Sequence, residues 1–182
     1  YQSTQRGRDF TVWQREESEP NPLGGTRARV SSYVELETGK HYWDGKDWRE
    51  TREEIEIVEK GAVAIHGPHQ VSFAANIASP VGVEIQTPEG KRLKTRVLGL
   101  AYYDFEKRET VLIAELKDSV GRLVAPNQIV YPDAFTDVEA DIRYTYRKGG
   151  LEQDVILRER PVLPEAYRRS EERRVGKECR YR

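Results

Sequence analysis

Apolar and polar residues alternate along most of this chain with a period of two, the periodicity of half-buried β-strands. The clearest run is Val81, Val83 and Ile85, which alternate with glycine, glutamate and glutamine. Residues 87–90 (TPEG) follow, and their proline and glycine favour a tight turn. Because a second alternating run comes after this turn, at residues 93–97, we predict a β-hairpin here.

Similar short runs continue from residue 29 to residue 157, separated by turns rich in glycine or proline. Their spacing of about 8–12 residues, without a convincing amphipathic helix between them, is typical of antiparallel sandwiches and barrels. The pattern, with about nine to eleven strands, predicts an all-β, mostly antiparallel, β-sandwich-like domain. We expect its core to contain Ile65, Phe73, Val83, Ile85, Leu98, Leu100, Leu112, Ile113, Ile142, Tyr144, Val155 and Leu157.

Both ends of the chain interrupt this pattern, so we expect the domain to occupy residues 29–163. Residues 1–28 contain a charge run followed by Pro-Asn-Pro and Gly-Gly, and are predicted to be poorly ordered. Residues 164–182 are predicted to be a disordered basic tail. From residue 168 onward this tail has a net charge of +4 and a single aliphatic side chain, Val175. It therefore buries too little apolar surface to offset the entropy of ordering.

Composition excludes several classes of protein. The 182 residues suit one domain, and 30 basic against 31 acidic residues argue against a whole-chain nucleic-acid binder. The longest apolar run, residues 97–103, is far shorter than the roughly 18 residues that a membrane-spanning helix needs, so no membrane insertion is expected. One cysteine excludes an intrachain disulfide and a multi-cysteine zinc site. Since methionine is absent, we expect the sequence to be a fragment of a longer chain.

Three aromatic residues, Tyr42, Trp43 and Trp48, flank an Asp-Gly turn and are interspersed with polar side chains. Flat rings beside hydrogen-bonding groups are what a carbohydrate-binding face requires, because the apolar faces of sugars stack on them. The same residues also fit a hairpin whose aromatic side chains cover one edge of the core. Both interpretations remain open at this point.

An acidic cluster follows a proline and contains Asp133, Asp137 and Asp141. Carboxylate oxygens are the ligands that Ca²⁺ prefers, so these three residues are a candidate calcium site. Their spacing is not that of an EF-hand loop, because the glycine that such a loop requires is replaced by Val138. The alternative is that these aspartates stabilise turns by bonding to nearby backbone amides.

Sequence motifs for catalysis are absent. No Gly-x-Ser-x-Gly elbow and no phosphate-binding glycine loop occurs, and His66 and His69 have no third ligand nearby in sequence. With 31 acidic residues, some pair of carboxylates will be close by chance, so their number does not indicate a glycosidase. We therefore predict no catalytic residue and no cofactor.

Several segments resemble a known class of proteins. They are residues 61–69 (GAVAIHGPH), 97–102 (VLGLAY), 131–135 (YPDAF), 140–144 (ADIRY) and 150–157 (GLEQDVIL). Over about residues 40–167 the chain resembles an uncharacterised β-rich region of very large secreted bacterial surface proteins, including those with rearrangement-hot-spot (RHS, YD-type) repeats. Residues 170–180 (SEERRVGKECR) resemble instead a tail that recurs on unrelated reading frames, a sequence-assembly artefact.

This resemblance implies a non-catalytic structural or interaction module, extracellular or on the cell surface. Its expected partners are downstream domains of the same polypeptide. The class has no assigned catalytic residues, so none is carried over to this chain. A carbohydrate-binding module that uses Tyr42, Trp43 and Trp48 is the alternative, with a glycan as partner. A carboxylate-based hydrolase is the third hypothesis.

Overall fold

The computed structural model describes residues 1–105 and 107–162, and it consists of antiparallel strands joined by turns and loops. The predicted all-β, antiparallel fold is therefore confirmed. Among these residues we find no helix with the length and apolar character needed to cross a membrane. The strands are β1 (Gln2–Gly7), β2 (Phe10–Pro20), β3 (Thr26–Leu36), β4 (His41–Trp43), β5 (Trp48–Glu50), β6 (Glu56–Val58), β7 (Gly61–Ala64), β8 (Gln70–Ala74), β9 (Val83–Gln86), β10 (Arg92–Thr95), β11 (Gly99–Asp104), β12 (Glu109–Glu115), β13 (Arg122–Ala125), β14 (Gln128–Tyr131), β15 (Ala140–Arg147) and β16 (Gly150–Leu157).

Within the described ranges these strands form five sheets, and neighbouring strands in each sheet are also consecutive in the sequence. The two larger sheets are meanders, one of β6 to β10 and one of β13 to β16. The N-terminal sheet contains β1, β2 and β3, while β4–β5 and β11–β12 are separate hairpins. Pairing within each sheet thus joins consecutive strands, as the frequent turn signals in the sequence predict. Two isolated bridges, Asn76 with Val120 and Leu116 with Phe135, connect more distant segments.

The two larger sheets share one buried core and pack as a sandwich. Phe73 of β8 contacts Tyr144 of β15, with 5.8 Å between ring centroids, and Tyr131 meets Tyr144 edge to face at 6.1 Å. The Tyr131 hydroxyl also donates a hydrogen bond to the carbonyl oxygen of Ala74, at 2.6 Å. Aromatic rings from β14 and β15 therefore fill the space between the sheets.

The core residues expected from the sequence fall into three groups. Phe73, Val83, Ile142 and Tyr144 are buried. Ile85, Leu100, Ile113 and Val155 are half-buried and pack against the core. Ile65, Leu98, Leu112 and Leu157 are exposed, contrary to the prediction. The first two of these exposed residues lie in loops and the last ends β16, positions at which no second sheet covers the side chain.

The apolar run at residues 97–103 is a second difference from the prediction, because the sequence indicates a strand buried on both faces. β11 pairs only with β12, and its residues are half-buried or exposed. Leu112 of β12 is likewise exposed. A hairpin outside both large sheets can cover only one of its faces, which explains the difference.

The expectation that residues 1–28 are poorly ordered is wrong. β2 pairs with β3 over eleven consecutive positions, and β1 pairs with β2 on the other side. Gly24 and Gly25, with φ of 95° and 82°, form the hairpin tip rather than a break in structure. The indole Nε1 of Trp13 donates to Glu35 at 2.8 Å and joins the two long strands. The predicted disordered tail, residues 164–182, lies outside the described residues.

Candidate functional site

A cleft of about 280 Å³ lies where the β4–β5 hairpin meets the β1–β2 turn and one end of the five-stranded sheet. Tyr42 and Trp43 from β4 and Trp48 from β5 contribute to its lining. All three aromatic residues singled out in the sequence therefore contribute to one concave surface. Such a surface is the usual form of a ligand-binding site.

The two indole rings of this surface face each other across the hairpin. Trp43 and Trp48 are directly opposite in the β4–β5 register, and their rings meet edge to face with centroids 5.6 Å apart. Trp43 is 54% exposed, whereas Trp48 is half-buried. The hairpin thus presents one indole to solvent and supports it with the other, and neither belongs to the buried core.

The turn between the two tryptophans is held by Asp44. One carboxylate oxygen of Asp44 accepts hydrogen bonds from the backbone amides of Lys46 and Asp47, at 2.8 and 2.7 Å. The other accepts one from Nε of Arg49, at 2.8 Å. The Arg49 guanidinium first, and then these amides, lower the pKa of Asp44 to about 2. The carboxylate therefore stays ionised in neutral and mildly acidic solution and keeps the turn closed.

Tyr42 is held by a chain of two hydrogen bonds that leads away from the cleft. Its hydroxyl lies 3.1 Å from Nδ1 of His66, and Nε2 of His66 lies 2.8 Å from Oε1 of Glu56. A carboxylate can only accept, so Nε2 of His66 donates to Glu56, and the Tyr42 hydroxyl bonds to the other ring nitrogen. This chain fixes the orientation of the Tyr42 hydroxyl.

The five-stranded sheet contributes two amide side chains to the cleft, Gln70 and Gln86. They occupy directly opposed positions of β8 and β9, so they lie on the same face of the sheet. Gly67 and Pro68 line the cleft beside them. An amide offers both donors and an acceptor, so the pair can bond to hydroxyl groups of a ligand in either direction.

Arg8 contributes the positive charge to the cleft lining. It lies in the β1–β2 turn, and its guanidinium reaches Glu89 of the β9–β10 turn at 3.3 Å. Two contacts of His41 hold the turn that carries Arg8. The backbone amide of His41 donates to the Arg8 carbonyl at 2.9 Å, and Nδ1 of the His41 ring lies 2.9 Å from the Gly7 carbonyl. His41 thus attaches the aromatic hairpin to the N-terminal sheet.

Sequence reasoning identifies the aromatic residues of the cleft but not Arg8, Gln70 and Gln86. The two glutamines are 16 positions apart in the chain, and only the β8–β9 register brings them together. Arg8 belongs to the segment expected to be poorly ordered. Strands that are consecutive in the chain are usually neighbours in a sheet. Pairing the two strands that contain Gln70 and Gln86 on this basis would have been the one way to predict that the two residues meet.

The structure does not assemble the predicted calcium site. Asp133 and Asp141 are close, but Oδ1 of Asp141 accepts from the Asp133 amide at 2.7 Å, and Oδ2 of Asp133 bonds to Lys117 at 2.8 Å. Arg158 lies 3.3 and 3.4 Å from the same two carboxylates. No group of three or more potential metal ligands occurs among residues 1–105 and 107–162. Asp141 therefore holds a turn through a backbone amide, and Asp133 forms ion pairs with Lys117 and Arg158. The turn role expected from the sequence is seen at Asp141.

The cleft thus combines an exposed indole, a fixed phenol hydroxyl, two opposed amides and a guanidinium. This set of groups can stack on a flat apolar ring face while bonding to hydroxyl groups at its edge. Comparison with known proteins adds no relative, since no family profile, no curated protein and no solved structure matches this chain.

Proposed function

We propose that this protein is a non-catalytic binding module that holds a carbohydrate in the aromatic cleft. The observation that carries the proposal is the position of Trp43, an exposed indole braced by Trp48 at the rim of a concave surface. Sugars have apolar faces that suit a flat ring, and an accessible indole beside hydrogen-bonding groups offers them a stacking surface.

The polar groups of the cleft complement the aromatic wall. In the proposed complex a sugar ring stacks on Trp43, and its hydroxyls bond to Gln70 and Gln86, which line the same cleft. Tyr42, whose hydroxyl bonds to His66, lines the same cleft and contributes its ring to the aromatic surface. Binding of this kind needs few conformational changes, because the hairpin and the amides are already held by backbone pairing.

The electrostatics of the chain favour binding over hydrolysis. A glycosidase needs a carboxylic acid whose pKa is raised, so that it is still protonated when it donates to the leaving group. Among residues 1–105 and 107–162, the carboxyl groups whose pKa departs from the usual value are all shifted down, by arginine, lysine or hydrogen-bond donors. They are Glu19, Glu35, Asp44, Glu89 and Asp133.

The resemblance of residues 40–167 to β-rich regions of large secreted bacterial proteins supports a wider setting for this module. We place it in a secreted or cell-surface protein, where a glycan-binding domain serves adhesion or targeting and the downstream domains carry other activities. Mass spectrometry of surface-exposed proteins from the source organism tests the location. Recovery of this chain only inside intact cells would contradict it.

A glycan array followed by calorimetry tests the binding proposal. We expect at least one oligosaccharide to bind the whole chain, and Trp43→Ala to weaken it by about tenfold or more, as the loss of about 1.4 kcal/mol would do. Trp13→Ala is the matched control, because Trp13 lies in the N-terminal sheet and not in the cleft. Equal binding by both variants, or no binder on the array, refutes the proposal. Release of shortened sugars would instead support the hydrolase.

A further inference from the structure

The outer edge of β3 is a surface that the cleft does not explain. β3 pairs with β2 along all eleven residues, and no strand pairs with its other edge in the described ranges. Exposed edge strands in proteins are usually short, interrupted by a bulge or covered by another element, because their free backbone groups attract further strands. β1, the opposite edge of the same sheet, is only six residues long and has a register shift at Ser3/Gln5. β3 has neither protection.

The backbone groups that point outward from β3 can be assigned. At the two ends of the β2–β3 ladder, the Asn21 amide donates to Gly25 at 2.9 Å and the Glu37 amide donates to Asp9 at 3.0 Å. Hydrogen-bonded positions alternate along an antiparallel pair, so the odd-numbered residues of β3 bond to β2. The even-numbered residues direct their N–H and C=O groups outward. They are Thr26, Ala28, Val30, Ser32, Val34 and Leu36.

The side chains of β3 divide between its two faces in a regular way. Val30, Val34 and Leu36 share one face and are all exposed. The other face has basic residues near one end, Arg27 and Arg29, and acidic residues near the other end. β3 is therefore apolar on one face and oppositely charged at its two ends on the other.

We propose that β3 pairs antiparallel with β3 of a second copy of this chain, and so joins two three-stranded sheets into one of six strands. Centred on Ser32, this register places Val30 opposite Val34 of the second copy. It also places Ala28 opposite Leu36 of the second copy. The outward backbone groups of the even-numbered residues then bond to one another.

The charged side chains favour one direction and one register for this pairing. Each also has a partner within its own chain, which it would share in the dimer: Arg27 and Arg29 pair with Glu19, Glu35 with Lys40, and Glu37 with Lys148. Antiparallel pairing about Ser32 sets Arg29 opposite Glu35 and Arg27 opposite Glu37 of the second copy, twice in each dimer. If the two strands instead pair about Ser31 or Tyr33, only one arginine of each strand lies opposite a glutamate of the other strand. Parallel pairing in register would align like charges, which is unfavourable. The strand is thus complementary to itself, which favours a second copy over an unrelated partner. The proposal does not depend on the ligand of the cleft.

Light scattering and sedimentation of the full chain over a wide concentration range test the dimer. We expect a mass near twice the 21.0 kDa of one chain at high concentration, dissociating on dilution. Ser32→Pro removes an outward donor that the monomer does not use, and should weaken association at least tenfold. Lys94→Pro is the matched control. It makes the same change at an outward-facing position of β10, the edge of another sheet, and should leave the dimer unchanged.

Two further measurements remain decisive if the proline variant does not fold. Arg27→Glu and Glu37→Lys should each weaken self-association, whereas an equimolar mixture should restore a dimer of one chain of each kind. Amide exchange should slow with concentration at Val30, Ser32 and Val34 and stay constant at Ser31 and Tyr33. A monomer at every concentration, or a dimer that Ser32→Pro and the charge variants leave intact, overturns the proposal.

Discussion

Tyr131 and Ala74 are joined across the core by a hydrogen bond from the phenol hydroxyl to the backbone carbonyl, with 2.6 Å between the oxygens. The bond connects β14 of the four-stranded sheet to the end of β8 in the five-stranded sheet. Since the ring is fully buried, the hydroxyl has no water to replace its partner. This contact therefore contributes to the alignment of the two sheets.

Tyr131→Phe should lower the free energy of unfolding by about 1 kcal/mol, because the Ala74 carbonyl loses its donor while the ring packing is kept. Urea unfolding followed by tryptophan fluorescence measures the change. Tyr103→Phe is the control, since Tyr103 is half-exposed and lies outside the core. Equal midpoints for the two variants would show that the hydroxyl of Tyr131 does not stabilise the sandwich.

The same buried phenols predict a loss of stability in alkali. Burial raises the pKa of Tyr144 and Tyr146 to about 12 and that of Tyr131 further, above the value of about 10 in an unfolded chain. The folded state therefore holds protons that the unfolded state releases, and stability falls as the pH rises from 10 towards 12. Urea midpoints measured at pH 9, 10 and 11 should decrease in that order, and less steeply in Tyr131→Phe. A constant midpoint would contradict this.

The turn at Asp44 predicts a response to acid of the opposite sign. Because its folded pKa is about 2, below the usual 3.8, its contribution is complete above pH 3.8 and is lost as the pH falls towards 2. The carboxyl carbon of Asp44 should therefore titrate near pH 2 by NMR, and the indole signals of Trp43 and Trp48 should shift in the same step. Asp44→Asn removes that step. Titration near pH 4 would mean that the Arg49 contact is not formed in solution.

Gly67 is expected to tolerate no side chain. A Cβ there would lie 2.0 Å from the Tyr146 hydroxyl, which donates to the His69 carbonyl at 2.8 Å. Gly67→Ala should cost about 1–3 kcal/mol, because the tyrosine or the loop must move. It should also weaken ligand binding, since Gly67 lines the cleft. Gly149→Ala provides the comparison, because its nearest contact would be Thr38 at an ordinary 3.9 Å. Thermal melts that give both variants the same midpoint would contradict this packing.

Features that depend on neighbouring positions in the chain could be predicted from the sequence. The turn at residues 87–90 forms with φ of 79° at Gly90, as its Pro-Glu-Gly composition indicates. Arg143 also pairs with Asp154 at 2.9 Å, because the two residues are directly opposed in the β15–β16 hairpin. Such contacts follow from turn geometry and from the period of two, so local sequence contains the required information.

The errors concern contacts between distant segments. Leu112 has the side chain of a core residue, yet its hairpin lies outside both large sheets and leaves it exposed. β2 has a charge run and would not be chosen as a strand, but eleven paired positions with β3 provide backbone bonds that composition does not reveal. The cleft depends on such contacts too, because Gln70 meets Gln86 only through the β8–β9 register.

For this protein, then, the sequence by itself determined the all-β class, several of the turns and the aromatic hairpin of residues 42–48, because each depends on residues close together in the chain. Only the tertiary structure decided which apolar strands are covered, which polar side chains line the cleft with Trp43, and which strand edge stays unpaired. These depend on how sheets are placed relative to one another, and the same alternating pattern is compatible with many such placements.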